Sequence, residues 1–286
     1  MPRCAFLSTD NLENFFVYDD LVKPFLRRLG WAVEDVSWKN KYIDFNQFDL
    51  VIVRSTWDYQ DDPEAFLACL EKIEASSARL ENPLALMRWN LSKAYLRDLQ
   101  MQGVSILPTL WHNTFDLACI NQAFEYFQTP ELIIKPLVSA NADFTYRFSQ
   151  NDQPLISTFE SQFKHKPFMI QAFETSILEN GEYSLFYFAG TFSHAICKKP
   201  AEGDFRVQEE HGGQIKAVQV SEAMLEMGQN TMAALPYNAL YARVDMLETA
   251  RGLAIIEVEL IEPSLYFNMD TDSAKRFADT IHKYYA

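Results

Sequence analysis

Two short segments near the carboxyl end of the chain carry charged side chains at alternate positions. Arg243 and Asp245 stand two apart in the first segment, and Glu257 and Glu259 stand two apart in the second. Side chains two apart on a β-strand share a face, whereas the other positions of residues 254–260 are apolar and predict a buried face. The short linker between the segments favours a hairpin. In a suitable register, three carboxylates and one guanidinium would share a patch roughly 7 Å across.

Such a patch has two interpretations. Three neighbouring carboxylates repel one another and do not all stay ionised without compensation. Oxygen-rich clusters of this kind suit hard cations, and Mg²⁺ commonly takes nucleotide phosphates as further ligands. The other interpretation is an antiparallel sheet with a solvated acidic face, which is common in proteins.

Composition narrows the function classes. A chain of 286 residues is long enough for about two domains, and its 48% hydrophobic content predicts a large core. The formal net charge of −14 argues against a nucleic-acid partner. Four scattered cysteines indicate neither a disulfide framework nor a zinc site. Because no apolar run approaches the ~18 residues that span a bilayer, and the start shows no signal-like stretch, we expect a cytoplasmic protein without membrane partners.

The first third of the chain alternates between strand and helix patterns. Residues 50–53 form a continuous apolar run, typical of a parallel strand buried on both faces. The run leads into a predicted polar and aromatic loop at residues 54–59, and α/β sheets bind ligands at such loops. We therefore predict an α/β domain over residues 1–87, with a break at Asn82-Pro83.

Beyond this domain the pattern shifts mainly to strands. A helix is predicted over residues 90–102, capped by Asn90 and closed by Gly103. The other predicted elements are helices at residues 18–29, 63–74, 115–127, 221–234 and 273–284, and strands at residues 5–8, 31–36, 50–53, 132–135, 168–171, 183–188, 191–198, 241–247 and 253–260.

In this order the segments resemble the ATP-grasp superfamily, in its glutathione-synthetase and RimK-like ligase branch. The resemblance covers roughly residues 90–267, and the family also has an α/β domain in front. It implies an ATP-grasp fold of α/β and α+β character. The N-terminal domain would be residues 1–87, and two lobes, 88–171 and 172–286, would clamp ATP.

The resemblance assigns residues to ATP. Lys93 and Lys135 match the two phosphate lysines of the family. The segment from Gln171 to Phe173 matches the hinge whose backbone reads adenine, and Glu182 matches the carboxylate that binds the ribose hydroxyls.

Metal and catalytic roles follow from the same resemblance. Asp245, Glu257 and Glu259 fall where the family holds two Mg²⁺ ions, with Mn²⁺ as the alternative ion. Arg243 falls where the family stabilises the reacting acyl phosphate.

A lid is also implied. Lys198 and residues 203–213, which we call the lid segment, are similar to the lid of the RimK-like branch. Glycines near both ends suit a segment that closes, and Arg206 would then reach phosphate oxygens only in the closed state. The alternative is a surface loop whose arginine pairs with Asp204 or Glu209.

Within the superfamily, the chain resembles a subgroup that includes the ring-closing ligase of cycloserine biosynthesis, which acts on O-ureidoserine. The similarity lies in residues 54–59, in the lid segment and in residues 257–265. It makes Arg54, Ser55, Trp57 and Ser264 candidate substrate residues. The aromatic side chain of Trp57 has the alternative role of packing a domain junction.

Two positions depart from the family pattern. Many members have asparagine where this chain has Glu259, and the extra charge should tighten cation binding. The loop over the phosphates is usually glycine-rich, but residues 137–145 contain no glycine. Ser139, Asn141 and Thr145 are then the candidate hydrogen-bond donors to phosphate.

The function implied is an ADP-forming carboxylate–amine ligase that proceeds through an acyl phosphate on a small amino-acid-like or peptide substrate. The alternatives are an ATP-dependent cyclo-ligase that closes one substrate and a catalytically silent ATP-binding regulatory protein. A homodimer is left open. The five histidines are dispersed and predicted to be structural, except that His211 lies in the lid segment.

Overall fold

The computed structural model describes residues 1–13, 15–139 and 142–285. Within these ranges the strands form three sheets. They follow one another along the chain, one parallel sheet and then two antiparallel sheets. This mixture of α/β and α+β architecture confirms the predicted fold class.

The first sheet is parallel and has the strand order β2-β1-β3-β4. Both faces of β1 and β3 are buried, as their apolar composition predicts. Its elements are β1 (Arg3–Ser8), α1 (Lys23–Arg28), β2 (Ala32–Ser37), β3 (Leu50–Ser55), α2 (Pro63–Glu74) and β4 (Arg79–Glu81).

The second sheet is antiparallel, with the order β5-β8-β6-β7. A cluster of buried aromatic and aliphatic side chains joins this sheet to two helices, α5 and α6. The elements are α3 (Leu84–Asn90), α4 (Tyr95–Met101), β5 (Thr109–His112), α5 (Leu117–Phe127), β6 (Glu131–Pro136), β7 (Tyr146–Ser149), α6 (Gln153–Phe163) and β8 (Phe168–Ala172).

The third sheet is antiparallel, with the order β11-β10-β9-β12-β13. Its two last strands are the hairpin predicted from the alternating charges. The elements are α7 (Ser176–Glu179), β9 (Glu182–Phe188), β10 (Thr191–Lys199), β11 (Gln214–Ala217), α8 (Glu222–Ala233), β12 (Tyr241–Thr249), β13 (Gly252–Glu259) and α9 (Ser273–Tyr285).

The predicted helix over residues 90–102 is wrong at its start. Asn90 is the last residue of α3, and four residues separate it from α4. Its side chain amide instead donates to the carbonyl of Val258 at 2.8 Å and accepts from the amide of Leu260 at 2.9 Å. Asn90 therefore caps no helix; it ties α3 to β13 and its continuation.

Two predictions in the first domain also need correction. The helix predicted over residues 18–29 is a 3₁₀ turn (Asp19–Leu21) followed by α1, which carries a proline in its first turn. Proline lacks a donor and suits a helix start rather than an interior. The predicted loop at residues 54–59 begins later, because β3 extends through Ser55.

The terminal elements pack together. One core cluster contains Phe6 of β1, Phe186 of β9 and Phe277 of α9. Asn82 adds polar bonds to the third sheet: its side chain donates to the carbonyls of Tyr241 and Leu260 at 3.0 and 2.7 Å. These contacts hold the parallel sheet against the hairpin that carries the charged residues. None of the described helices is long and apolar enough to cross a membrane.

Candidate active site

The register of the hairpin brings the predicted charges together. Asp245 pairs directly with Glu257, and Arg243 pairs with Glu259. One oxygen from each of the three carboxylates lies within 4.8 Å of the others. Cross-strand neighbours on one face approach to about 5 Å, so this proximity follows from strand pairing rather than from side-chain flexibility.

The pKa values of the three carboxylates are shifted in different directions. Burial opposes ionisation of Asp245, but Arg243 and then Lys198 outweigh it and lower its pKa. Burial likewise opposes ionisation of Glu257, but the charge of Lys93 helps to outweigh it, so the pKa of Glu257 is lowered. Burial, together with the charges of the other two carboxylates, raises the pKa of Glu259 to about 7 despite the nearby Arg243. Glu259 is thus the member of the cluster whose ionisation a further positive charge would favour most.

Arg243 and Ser184 hold the buried end of the cluster. The guanidinium of Arg243 donates to both oxygens of Asp245 at 2.8–3.0 Å and also pairs with Glu259. The hydroxyl of Ser184, on the neighbouring strand β9, donates to Asp245 at 2.5 Å. These bonds orient Asp245, which is almost fully buried.

Two lysines lie near the same cluster: Lys93, between α3 and α4, and Lys135, on β6. Lys93 Nζ lies 2.7 Å from Glu257 and 3.1 Å from the carbonyl of Ser139. Lys135, at the end of β6, has its pKa lowered by burial and further by the charge of Lys93, with Glu257 opposing. Two lysines beside one cleft suit a multiply charged anion such as a phosphate chain, which would also favour the charged form of Lys135.

The donor set also fits a hard divalent cation. All three groups offer carboxylate oxygens, and the side chains of Glu257 and Glu259 are 29% and 26% exposed, which leaves them open to the cleft. A cation would offset the burial and the repulsion that raise the pKa of Glu259. Asp245, Glu257 and Glu259 are the residues that would hold it.

The predicted adenine hinge lies at the end of β8. The side chain of Gln171 donates to Thr109 Oγ1 at 2.8 Å, and the backbone amide of Phe173 donates to the carbonyl of Glu131 at 3.0 Å. The guanidinium of Arg147 stacks 3.9 Å from the centre of the Phe173 ring. Arg147 therefore covers one face of the Phe173 ring, and Phe173 lines the cleft.

The predicted ribose residue has a cationic partner. Glu182 pairs with Lys198 across β9 and β10, and both side chains are buried. Burial raises the pKa of Glu182 despite this pairing. Lys198 also lies 3.6 Å from Asp245, so it connects Glu182 to the carboxylate cluster.

The lid segment lies over the cleft. Gly203 and Gly212 have φ angles of +86° and +79°, which disfavour other residues. A Cβ atom on Gly213 would lie 2.0 Å from the carbonyl oxygen of Val207, so the segment folds closely on itself. Arg206 donates to both carboxylate oxygens of Asp204, as in the surface-pair interpretation.

One cleft of about 220 Å³ brings most of the predicted residues together. They are Trp57, Lys93, Lys135, Gln171, Phe173, Glu182, Lys198, Arg206, Arg243, Asp245, Glu257, Glu259 and Ser264. The phosphate-loop residues Ser139 and Thr145 also line it, whereas Asn141 lies outside the described residues.

Arg54 and Ser55 do not line this cleft, which corrects their prediction as substrate residues. Arg54 is 1% exposed and donates to Asp19 and to the carbonyl of Pro263, both at 2.9 Å. Ser55 donates to the second oxygen of Asp19 at 2.6 Å. Both residues tie β3 to the 3₁₀ turn at Asp19–Leu21, and Arg54 also contacts the segment after β13.

Sequence reasoning missed a residue that supports Asp245 and several residues that line the cleft. Ser184 was detectable, because it stands two positions after Glu182 and shares its strand face. Glu209, Glu262 and Tyr266 also line the cleft, and their positions in loops and a 3₁₀ turn carry no periodic signal.

Comparisons with known proteins identify the family. The family described as prokaryotic glutathione synthetase, ATP-grasp domain, matches residues 112–271, and the N-terminal domain of D-cycloserine synthetase DcsG matches residues 4–82. The chain is 27% identical to cycloserine biosynthesis protein DcsG from Streptomyces lavendulae over 271 residues. The aligned region covers 89% of each protein.

Solved structures share the fold. The crystal structure of D-cycloserine synthetase DcsG superposes with a TM-score of 0.88 at 25% identity, covering 99% of this chain and 100% of that one. D-alanine–D-alanine ligase from Bacillus anthracis, complexed with ATP, superposes with a TM-score of 0.70 at 14% identity, covering 99% and 97%. The chain therefore belongs to the ATP-grasp family of prokaryotic glutathione synthetase and is an ATP-grasp ligase.

Proposed function

We propose that this enzyme is an ADP-forming carboxylate–amine ligase that works through an acyl phosphate on a small amino-acid-like or peptide substrate. The observation that carries the proposal is the meeting of two lysines, three carboxylates and one arginine in a single cleft. Phosphoryl transfer depends mainly on positioning and on charge stabilisation, and this cleft supplies both signs of charge.

The ATP-binding roles divide between the second and third sheets. Lys93 and Lys135 would bind phosphate oxygens, since both ammonium groups lie beside the cluster. The hinge from Gln171 to Phe173 would bind adenine, and Glu182 would accept the ribose hydroxyls. We therefore propose that residues 88–171 and 172–286 form two lobes that clamp ATP, behind an N-terminal domain of residues 1–87.

The catalytic roles fall to the charges around Asp245. A Mg²⁺ ion, or Mn²⁺ in its place, would neutralise phosphate charge when held by Asp245, Glu257 and Glu259. Arg243, fixed by Asp245, would stabilise negative charge on the acyl phosphate. Arg206 would leave Asp204 for phosphate oxygens when the lid segment closes, and Lys198 would contribute a further positive charge.

A cyclo-ligase is the second candidate, and the similarity to cycloserine biosynthesis protein DcsG favours it. In this version the carboxylate and the nitrogen belong to one molecule. The activation step and its residues are unchanged. Trp57 and Ser264, which line the cleft, are candidate substrate residues in either reaction.

Hydroxylamine trapping tests the acyl phosphate. The enzyme is incubated with ATP, Mg²⁺, hydroxylamine and a panel of D- and L-amino acids and dipeptides. We expect ADP and the hydroxamate of the accepted acid, because hydroxylamine intercepts an activated acyl group. Release of AMP and pyrophosphate instead would contradict the proposal.

Mass spectrometry of the products without hydroxylamine then separates the two reactions. Cyclisation removes one water from one substrate, whereas ligation joins two substrates. The Glu257→Gln variant serves as the inactive control in both experiments.

A further inference from the structure

Three carboxylates and two aromatic rings to which the proposed ATP-binding roles give no part also line the cleft. Glu262 follows β13, lines the cleft and is 8% exposed. Two further carboxylates, those of Glu209 and Glu210, line the same cleft from the lid segment. Trp57 and Phe15 add a pair of rings with centres 5.1 Å apart.

Glu262 is a buried carboxyl that lacks a cationic partner. In the part of the chain that the structure describes, it forms no ion pair, and Lys93 and Arg243 act on it only at longer range. The hydroxyl of Tyr59, itself buried, lies within hydrogen-bonding reach of it. Burial, with the charge of Glu259, raises the pKa of Glu262 well above its usual range. Buried carboxylates are normally paired, so this group suits a positively charged ligand.

The backbone of Glu262 is fixed against Trp57. The indole N–H of Trp57 donates to the carbonyl of Glu262 at 2.8 Å. This bond uses the only donor of the indole and fixes the ring, which lines the cleft beside Phe15. An aromatic face beside a carboxylate binds ammonium groups through charge pairing and cation–π attraction.

These carboxylates disfavour an anionic ligand beside them. The hydroxyl of Tyr18 fixes Glu209 by donating to its two oxygens at 3.0 and 3.1 Å. A substrate carboxylate placed beside Glu209, Glu210 or Glu262 would meet a like charge. The acid group of a substrate therefore suits Arg243, whereas a basic nitrogen suits Glu262.

We propose that Glu262 binds the ammonium group of the nitrogen-donating substrate, with the ring of Trp57 against the same group. The inference rests on the proposed function, because it names the group that the acceptor side of that cleft recognises. It makes the nitrogen donor a primary amine, cationic when it binds, rather than a neutral amide or urea. Glu262 is then a specificity-determining residue.

Ligand-observed NMR tests the inference on enzyme saturated with Mg²⁺ and AMP-PNP. Glycinamide is the amine probe, and N-acetylglycinamide is the matched neutral probe. We expect wild-type enzyme to bind glycinamide and Glu262→Gln to weaken this binding at least ~10-fold. N-acetylglycinamide should bind no better to wild type than to the variant. Glu262→Asp, which keeps the charge but shortens the side chain, should fall between them.

The controls distinguish the possible failures. Glu248→Gln removes a carboxylate from the exposed end of the same hairpin and should leave glycinamide binding unchanged. Normal AMP-PNP binding with no glycinamide binding, or with equal binding by wild type and both Glu262 variants, would overturn this inference alone. Failure of wild type to bind AMP-PNP would contradict the proposed function and this inference with it.

Discussion

Four carboxylates in the cleft illustrate how strongly surroundings govern a side chain. Burial acts on all of them, yet the pKa values of Asp245 and Glu257 are lowered while those of Glu182 and Glu259 are raised. The neighbouring cations outweigh burial at Asp245 and Glu257, whereas burial outweighs them at Glu182 and Glu259. Lys93 lies 2.7 Å from Glu257, whereas Glu259 faces two neighbouring carboxylates and shares Arg243 with Asp245.

Glu257→Gln tests whether this cluster is a site. The change keeps volume and removes the charge that pairs with Lys93, so cation binding and turnover should be lost, with turnover falling at least ~10²-fold. Folding should be retained, since the loss of one carboxylate relieves repulsion. Circular dichroism and steady-state kinetics measure the two effects, with Glu248→Gln as the exposed control. A fully active Glu257→Gln enzyme would show that the cluster is an ordinary solvated acidic face and not a catalytic site.

At the scale of an element, Arg206 tests whether the lid segment closes over bound nucleotide. Its guanidinium is held by Asp204 and is 37% exposed, so it is available for exchange onto phosphate oxygens. Arg206→Ala should lower kcat at least ~10²-fold with a smaller effect on ATP affinity, because the lost charge acts at the reacting stage. Arg251→Ala, on the exposed hairpin turn, is the matched control.

Trypsin gives an independent measurement on the same segment. Nucleotide with Mg²⁺ should slow cleavage after Arg206 in the wild-type enzyme. Equal cleavage rates with and without ligand, together with normal turnover by Arg206→Ala, would rule out the lid.

The hydrogen bonds of Asn90, which join α3 to β13 and the residue that follows it, should contribute to the free energy of unfolding. Asn90→Ala would leave the buried amide of Leu260 and the carbonyl of Val258 without their side-chain partner. Unsatisfied buried groups destabilise, so the free energy of unfolding should fall by about 2 kcal/mol. Urea denaturation measures this, and Asn230→Ala on the exposed face of α8 should change it little. A loss no larger than that of Asn230→Ala would show that Asn90 is not structurally important.

For the molecule as a whole, ligand binding should couple to stability. Lys135 and the three carboxylates belong to different sheets and line one cleft, so Mg²⁺ and ATP would bridge the two sheets. A ligand that binds only the native state raises Tm by mass action. ATP with Mg²⁺ should therefore raise Tm more than ATP with EDTA in differential scanning fluorimetry. Equal shifts would contradict the cation assignment.

Acid should also weaken the fold, through His194. This side chain is buried, stacks on Phe186 and contacts the carbonyl of Leu265, and burial lowers its pKa to about 4. An unfolded histidine protonates near pH 6.5, so between these values the unfolded chain binds more protons. Stability should thus fall as pH decreases from about 6.5 to 4, by up to about 3 kcal/mol from this residue.

Urea titrations across this pH range check the contribution of His194. His194→Gln keeps a donor for Leu265 but does not titrate, and should show a shallower loss. The same pH dependence in both proteins would show that other groups are responsible.

Sequence reasoning succeeded where local periodicity was strong. The alternating charges of the hairpin predicted both strands and the shared face of Asp245 and Glu257, because a strand has a fixed period of two. Order along the chain also led to the family. The strands β5, β7 and β11 and the helix α6 were not predicted, since the strands have only four residues each and the helix follows a loop without a clear cap.

The sequence by itself determined which residue types lie on which face of each strand, and hence the carboxylates, the arginine and the lysines of the cleft. Tertiary structure alone decided their partners. Asn90 looked like a cap and instead binds β13, Arg54 was a candidate substrate residue and is buried against Asp19, and Glu262 carried no pattern yet lines the cleft. Local periodicity reports backbone geometry over a few residues, whereas these contacts join residues 35 to 209 positions apart, which only packing brings together.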